Sequence, residues 1–339
     1  MSAATAVVER PFSAITAAAR EFVAEHLDQA SALGLELGDL IDDPEIFAAT
    51  VRSGYEALAD PAYREGQLFI APGLTDAIGV RMPLLSAVRR GISRRSRGVN
   101  PASLLWLAER LLRGRPPLEE RLLAFELLER TIARDPERTW QILRQAASRA
   151  QEWITVDSLA HPYAKGILAE PVRWAEIEQL AYSSSPWERR LAGSTIATMP
   201  FVNRSAGREP EVAAHALPIV ANLIGDADPD VQKALSWALR SMAVVDREAV
   251  AAFLERETET AVQTADGLRA WVIRDALQAV PAPRADSIRS RLAGIRRQAG
   301  ARSTSAAAAV AAAFYGANPD TQRPGPVRQG ARQARRGRT

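Results

Sequence analysis

Two pairs of residues and one arginine carry the side chains best suited to chemistry. Trp153 and Asp157 are four residues apart, so on a helix they share one face and place an aromatic surface beside a carboxylate. Lys233 and Trp237 have the same spacing further along the chain, and Arg190 lies between the two pairs. Stacked helices would bring these side chains along one surface.

The composition excludes several other kinds of active site. The 339 residues include no cysteine, and the three histidines are scattered without the spacing of a metal site. Lys165 and Lys233 are the only lysines, which does not favour a lysine nucleophile. The chain has no P-loop, no dinucleotide-binding glycine motif and no nucleophile elbow. We therefore expect neither a metal nor a cofactor.

The elements that must position these residues are predicted to be helices. From Phe12 to about Arg297, Ala, Leu, Arg and Glu recur at three- and four-residue spacing, and β-branched runs are rare. Prolines interrupt this pattern at intervals of ordinary helix length, and each is typical of a helix stop or of a first helical turn. The sequence therefore predicts an all-α protein.

Three of the proline-initiated helices resemble one another, which indicates an internal repeat. They begin at Pro117, Pro186 and Pro229, and the fourth residue after each proline is basic: Arg121, Arg190 and Lys233. The second separation, 43 residues, fits the roughly 40–47-residue period of HEAT-type repeats. The first, 69 residues, is too long for one repeat and is expected to contain an extra helix or half repeat.

Repeats of this kind stack into a curved solenoid with a concave surface. The basic residues at one register position would then form a stripe along one face. Alternatively, these residues are ordinary surface cations that pair with nearby glutamates such as Glu119, Glu120 and Glu188.

Charge is distributed unevenly and suggests three segments. Residues 1–66 carry four arginines against twelve acidic residues, and residues 282–339 carry twelve arginines against two. We predict an acidic helical extension over 1–66, a HEAT-like repeat domain over 67–300, and a basic Arg/Ala/Gly/Pro-rich disordered tail over 301–339. The uneven charge is compatible with a polyanionic partner, or with a solvated tail alone. No apolar run is long enough for a bilayer span and the first residues lack a signal-peptide pattern, so we expect a cytoplasmic protein without a membrane partner.

Four short motifs in this order resemble those of the AlkD-like DNA alkylation repair proteins, over about residues 75–280. They are IGVRMP from Ile78 to Pro83, the W-x-x-x-D-S of residues 153–158, the W-x-R-R of residues 187–190, and the segment from Gln232 to Arg240. Each motif is weak alone, but their order and spacing make the combination fairly specific. The family consists of alkylpurine DNA glycosylases built from HEAT-like repeats.

The resemblance implies a role for each of these residues. Asp157 would be the catalytic carboxylate, and Trp153 and Trp237 would border the lesion. Arg190, Lys233 and Arg240 would contact the DNA backbone. The implied reaction is monofunctional hydrolysis of the N-glycosidic bond of cationic N3- or N7-alkylated purines in duplex DNA, as in base excision repair, by a monomer that needs no base-flipping pocket.

Two alternatives stay open at this point. The first is a non-catalytic helical-repeat protein that binds DNA structures or a protein partner. Asp157 separates it from an enzyme, because a carboxylate that faces polyanionic DNA costs a pure binder affinity. The second is a generic HEAT scaffold for protein partners, since by pattern alone a tryptophan is more often a core residue. It predicts that Trp153 and Trp237 are buried.

Overall fold

A computed structural model describes residues 11–315 of the chain, with side chains over 16–313. Within this range the chain forms sixteen α-helices and no β-strand, and one isolated antiparallel bridge joins Ala59 to Val80. The helices are α1 (Pro11–Asp39), α2 (Pro44–Ala57), α3 (Pro61–Ile70), α4 (Met82–Arg95), α5 (Pro101–Leu111), α6 (Leu118–Thr131), α7 (Pro136–Arg149), α8 (Trp153–Ala169), α9 (Trp174–Ala181), α10 (Pro186–Val202), α11 (Pro210–Leu223), α12 (Pro229–Val245), α13 (Arg247–Thr264), α14 (Gly267–Ala276), α15 (Ala282–Arg291) and α16 (Ala306–Tyr315).

Many helices begin with the first-turn proline that the sequence indicated. Proline occupies the first turn of many of them, where its missing N–H leaves no hydrogen bond unmade. An acidic or amide side chain just before the proline caps the free N–H groups, as Asp60 does for α3 and Asp228 does for α12. These starts fix the helix boundaries locally, before any tertiary contact is made.

From α5 onward the helices pack as two layers. In the even-numbered layer, α6, α8, α10, α12 and α14 pack side by side in that order. In the odd-numbered layer, α5, α7, α9, α11 and α13 each cover the even-numbered helix that follows. A continuous apolar core runs between the layers. The fold is therefore the all-α repeat solenoid that the sequence predicted.

The long interval between Pro117 and Pro186 contains a complete repeat. It holds α7, α8 and α9, so α8 is a full member of the even-numbered layer between α6 and α10. The proline pattern did not identify it because α8 begins at Trp153 without a proline. This is the helix that carries both Trp153 and Asp157.

Both predicted segment boundaries fall inside structured regions. The boundary at residue 66 lies within α3, and α1 packs extensively against α4. At the other end, the Thr304 backbone N–H donates to the Gly225 carbonyl (2.8 Å) and α16 packs on α11. A disordered tail from residue 301 is thus wrong for residues 301–315, and the rest of that predicted tail lies outside the described residues. No helix in the described range is long and apolar enough to cross a membrane.

The contact between α1 and α4 depends on glycines at the crossing point. A Cβ atom on Gly34 would collide with the backbone of Val88, and one on Gly91 would collide with the backbone of Gly34. The absence of side chains lets the two helix backbones approach closely, with Leu37 and Ile92 buried in the same core.

Replacing Gly91 with alanine is expected to lower the free energy of unfolding by about 1–3 kcal/mol, because the added methyl group must push two helix backbones apart. The gain in helix propensity, at most about 1 kcal/mol, is too small to offset this cost. Thermal unfolding followed by circular dichroism measures the change. Gly66 on α3 is the matched control, since a Cβ there meets no atom within 4 Å. A Gly91→Ala protein as stable as the wild type would contradict the tight crossing.

Candidate active site

The start of α8 is fixed by a buried glutamate. Glu152 caps the helix, and its carboxylate accepts hydrogen bonds from the backbone N–H groups of Ile154 (2.6 Å) and Thr155 (2.9 Å). Arg121 on α6 lies 3.8 Å from the same carboxylate. Because the first turn is held in this way, Trp153 is the first helical residue and Asp157 lies one turn later on the same face.

Trp153 joins α8 to the end of α3. Its indole Nε1–H donates to the carbonyl oxygen of Ile70 at 3.1 Å. One side of the ring packs against the core, and the residue stays partly exposed. The hydrogen bond restricts the orientation of the indole, which stays partly exposed.

Asp157 is held by three hydrogen bonds from α10. Arg190 donates from Nε to Oδ1 (3.1 Å) and from Nη2 to Oδ2 (2.7 Å), a bidentate arrangement. Ser194, one turn after Arg190, donates its hydroxyl to Oδ1 at 2.6 Å. The Asp157 side chain retains 20% of its accessible surface, so the carboxylate is oriented by the protein and still reaches solvent.

Arg190 also connects this carboxylate to α12. Its Nη1 donates to the carbonyl oxygen of Asp230 at 2.7 Å, and its side chain is only 7% exposed. The guanidinium is thus engaged with protein oxygens on both sides. Little of the guanidinium surface is exposed, and the contact of Arg190 with the DNA backbone stays a prediction.

The three basic side chains do not form the continuous stripe that was predicted. Arg121 turns toward Glu152, and burial lowers the pKa of its guanidinium from the ordinary value. Arg190 turns toward Asp157. Of the three, Lys233 alone is well exposed, with 63% of its side chain accessible and its Nζ 3.6 Å from Asp230.

The remaining predicted residues lie on the same helix as Lys233. Trp237 is partly exposed and packs against the core from α12. Arg240 is paired with Asp275 of α14 (2.5 Å) and also reaches the hydroxyl of Ser236 (3.2 Å). Arg240 therefore points toward α14, away from the Asp157 end of the layer.

The tryptophans differ in how far they are buried. Trp140, Trp174 and Trp187 are buried, as expected for core residues. Trp153 and Trp237 are not, although both belong to helices of the even-numbered layer. The generic-scaffold alternative predicted that both are buried, whereas both are partly buried and pack against the core.

Sequence reasoning missed two partners of the site. Ser194 could have been found, because it lies four residues after Arg190 and must share its helix face. Asp230 contributes its backbone carbonyl, and a carbonyl leaves no signal in the sequence. In the described range, no group of three or more His, Asp and Glu side chains is placed to hold a metal ion.

Comparison with known proteins gives one result. No curated protein matches the chain. A family model described as DNA alkylation repair enzyme matches residues 51–280, a range that runs from the middle of α2 to the end of α14 and contains every residue of the site. The match covers two thirds of the chain, and the chain belongs to this family of DNA alkylation repair enzymes.

Proposed function

We propose that the protein is a monofunctional DNA glycosylase that releases N3- or N7-alkylated purines from duplex DNA. Family membership assigns it a role in DNA alkylation repair, with DNA as its partner. The Asp157 carboxylate is the main support for glycosylase activity. Arg190 and Ser194 orient this carboxylate at the surface, one turn from the partly exposed ring of Trp153.

The substrate determines what the protein must supply. An N3- or N7-alkylated purine is a cation, so its bond to C1′ of the deoxyribose is already weak and the base needs no strong general acid. When the C1′–N bond breaks, the electron pair leaves with the base and neutralises it, while positive charge develops on the sugar. Water then adds its oxygen to C1′ and loses a proton, which leaves an abasic site. The step that needs help is the formation of the sugar cation.

A fixed carboxylate is suited to that step. A negative charge placed close to the sugar stabilises the developing cation and can orient the attacking water, as in glycoside hydrolysis. A carboxylate has about four lone-pair positions. Oδ1 of Asp157 receives two hydrogen bonds and Oδ2 receives one, so Oδ2 is the atom with capacity for water or for the sugar.

Arg190 acts in this proposal as a positioning residue. It keeps Asp157 in one rotamer through two hydrogen bonds, and Ser194 supports the same orientation. Preorganisation of this kind avoids the cost of reorienting the carboxylate during the reaction.

The partly exposed rings of Trp153 and Trp237 suit a cationic base. An indole face attracts a cation by roughly 0.5–2 kcal/mol, depending on how much water is excluded. Trp153 and Trp237 would thus favour an alkylated, positively charged base over a neutral one. The Asp157 side chain keeps 20% of its surface accessible, which suits a reaction at the surface without a base-flipping pocket.

Replacing Asp157 with asparagine is expected to slow release of 7-methylguanine from methylated duplex DNA by on the order of 10²–10³-fold, because it removes the charge that faces the sugar cation. Duplex binding should be retained or strengthened, since a negative charge near the phosphates is lost. Base release is measured by chromatography at low salt, and duplex binding by fluorescence anisotropy.

Asp275→Asn is the matched control for this variant. Asp275 also accepts hydrogen bonds from a serine and an arginine, Ser236 and Arg240, but it lies on α14. It should leave base release nearly unchanged. Equal loss of binding and release in Asp157→Asn, or full release, would contradict the assigned role. Salt-sensitive duplex binding by a wild type that releases no 7-methylguanine would support either an enzyme for bulkier adducts or the non-catalytic alternative.

Trp237→Ala is expected to reduce the preference of the protein for duplex containing 7-methylguanine over unmodified duplex by roughly 2- to 30-fold, the range that corresponds to one cation–π contact. Competition binding with the two duplexes measures the preference. Trp106→Ala is the control, because Trp106 is exposed on α5 in the odd-numbered layer. An equal effect of both substitutions would count against a lesion-side role for Trp237.

Lys233→Ala is expected to weaken binding to all duplex sequences alike and to reduce the slope of log K against log salt by about 1, the value for one lost phosphate contact. Lys165→Ala is the comparison, since Lys165 lies on α8 and is paired with Glu129. Titrations at several salt concentrations give both slopes. If Lys233→Ala leaves the slope unchanged, Lys233 does not contact the backbone.

A further inference from the structure

The end of α3 presents an unusual apolar tip. Phe69 is 85% exposed, the highest value of any large apolar residue in the described part of the chain, and the next residue, Ile70, is also more than half exposed. Single apolar side chains on a surface are common and need no explanation. Two consecutive ones at the end of a helix form a small projecting patch, and this patch lies beside the candidate active site.

This tip borders the candidate active site. The carbonyl oxygen of Ile70 accepts the hydrogen bond from Trp153 Nε1, so the backbone of the tip is in direct contact with the lesion-side indole. The Cα atom of Phe69 is one peptide unit, about 3.8 Å, from that of Ile70.

The tip is mounted on a rigid support. At the start of α3, Asp60 caps the backbone N–H groups of Ala62 and Tyr63. In the segment that follows α3, Gly73 packs closely on the Gln151 carbonyl just before α8.

The segment is held again before α4 begins. The buried carboxylate of Glu119 accepts hydrogen bonds from the backbone N–H groups of Ile78 (2.8 Å), Gly79 (2.8 Å) and Val80 (3.2 Å). Both sides of the tip are therefore fixed, and Phe69 is displayed in a defined place.

We propose that Phe69, supported by Ile70, is an apolar wedge that contacts the base stack of duplex DNA beside the alkylated nucleotide. The inference rests on the proposed function, because it places the lesion against Trp153. Exposed Phe and Ile side chains of this kind insert between base steps, partly unstack them and kink the duplex. An aromatic ring gains from contact with any base, so the contact would not depend on sequence.

The wedge gives the surface reaction a way to reach its target bond. The Asp157 carboxylate is partly exposed, so the lesion would be presented to it at the surface. Unstacking on one side of the lesion would open the duplex next to Trp153 and expose the sugar to the carboxylate one helical turn away. The ring of Phe69 would fill the space that the displaced base leaves.

The test uses a duplex that carries a stable abasic-site analogue with 2-aminopurine as its neighbour. Stacking quenches 2-aminopurine, so fluorescence should rise when the wild type binds, and Phe69→Ala should abolish the rise. We expect duplex affinity to fall roughly 5- to 100-fold, as for loss of a base–aromatic contact. The salt slope should not change, because phenylalanine neutralises no phosphate. Phe69→Leu, which keeps an apolar wedge, should retain most of the fluorescence rise.

Phe201→Ala is the matched control. Phe201 is more than half exposed at the end of α10, eleven residues and about 16 Å of helix from Arg190. It should behave as the wild type. Wild-type fluorescence and affinity in Phe69→Ala would overturn the proposal, as would a change in oligomeric state by gel filtration with DNA binding intact, which would make the tip a protein contact.

The two proposals fail in different ways. The fluorescence experiment requires binding only, so a wild type that unstacks the probe through Phe69 but releases no 7-methylguanine contradicts the glycosylase and keeps the wedge. Conversely, base release that depends on Asp157 and is unaffected in Phe69→Ala, without any fluorescence change, contradicts the wedge and keeps the glycosylase.

Discussion

The bidentate pair between Arg190 and Asp157 is the interaction on which the candidate site depends. It links α8 to α10, and the bond from Arg190 to the Asp230 carbonyl extends the link to α12. Removing two charges from water is costly, and an apolar pair of similar volume is often at least as stable. The pair is thus better understood as a device that sets the register of three helices and the direction of one carboxylate than as a source of stability.

Local sequence rules were sufficient for most of the fold. Prolines with acidic residues before them fix helix starts without help from distant contacts, so the all-α class and the repeat could be predicted. They failed at α8, which begins with a glutamate cap and no proline. They also failed at residues 301–315, because composition does not show that Thr304 will bond to Gly225 and anchor the segment.

The sequence predicted which residues form the site better than it predicted which of them contact one another. Spacing placed Trp153 with Asp157 and Lys233 with Trp237, and the structure keeps each pair on one helix. It could not show which way Arg190 points, because a basic residue at a repeated position can face solvent or a neighbouring carboxylate. That choice depends on which helix packs beside it. Asp157 lies on the repeat that the proline pattern did not reveal, so this pattern could not place Asp157 beside Arg190.

The glycine contact between α1 and α4 shows that the family match and the packed core begin at different places in the chain. The region shared with the family begins at residue 51, whereas the buried surface begins earlier, with Ala30, Leu33 and Leu37 of α1. A fragment cut at the family boundary would uncover the glycine-lined side of α4 and expose apolar residues such as Val88. The family match therefore begins later in the chain than the packed core, and α1 supplies one side of the folded unit.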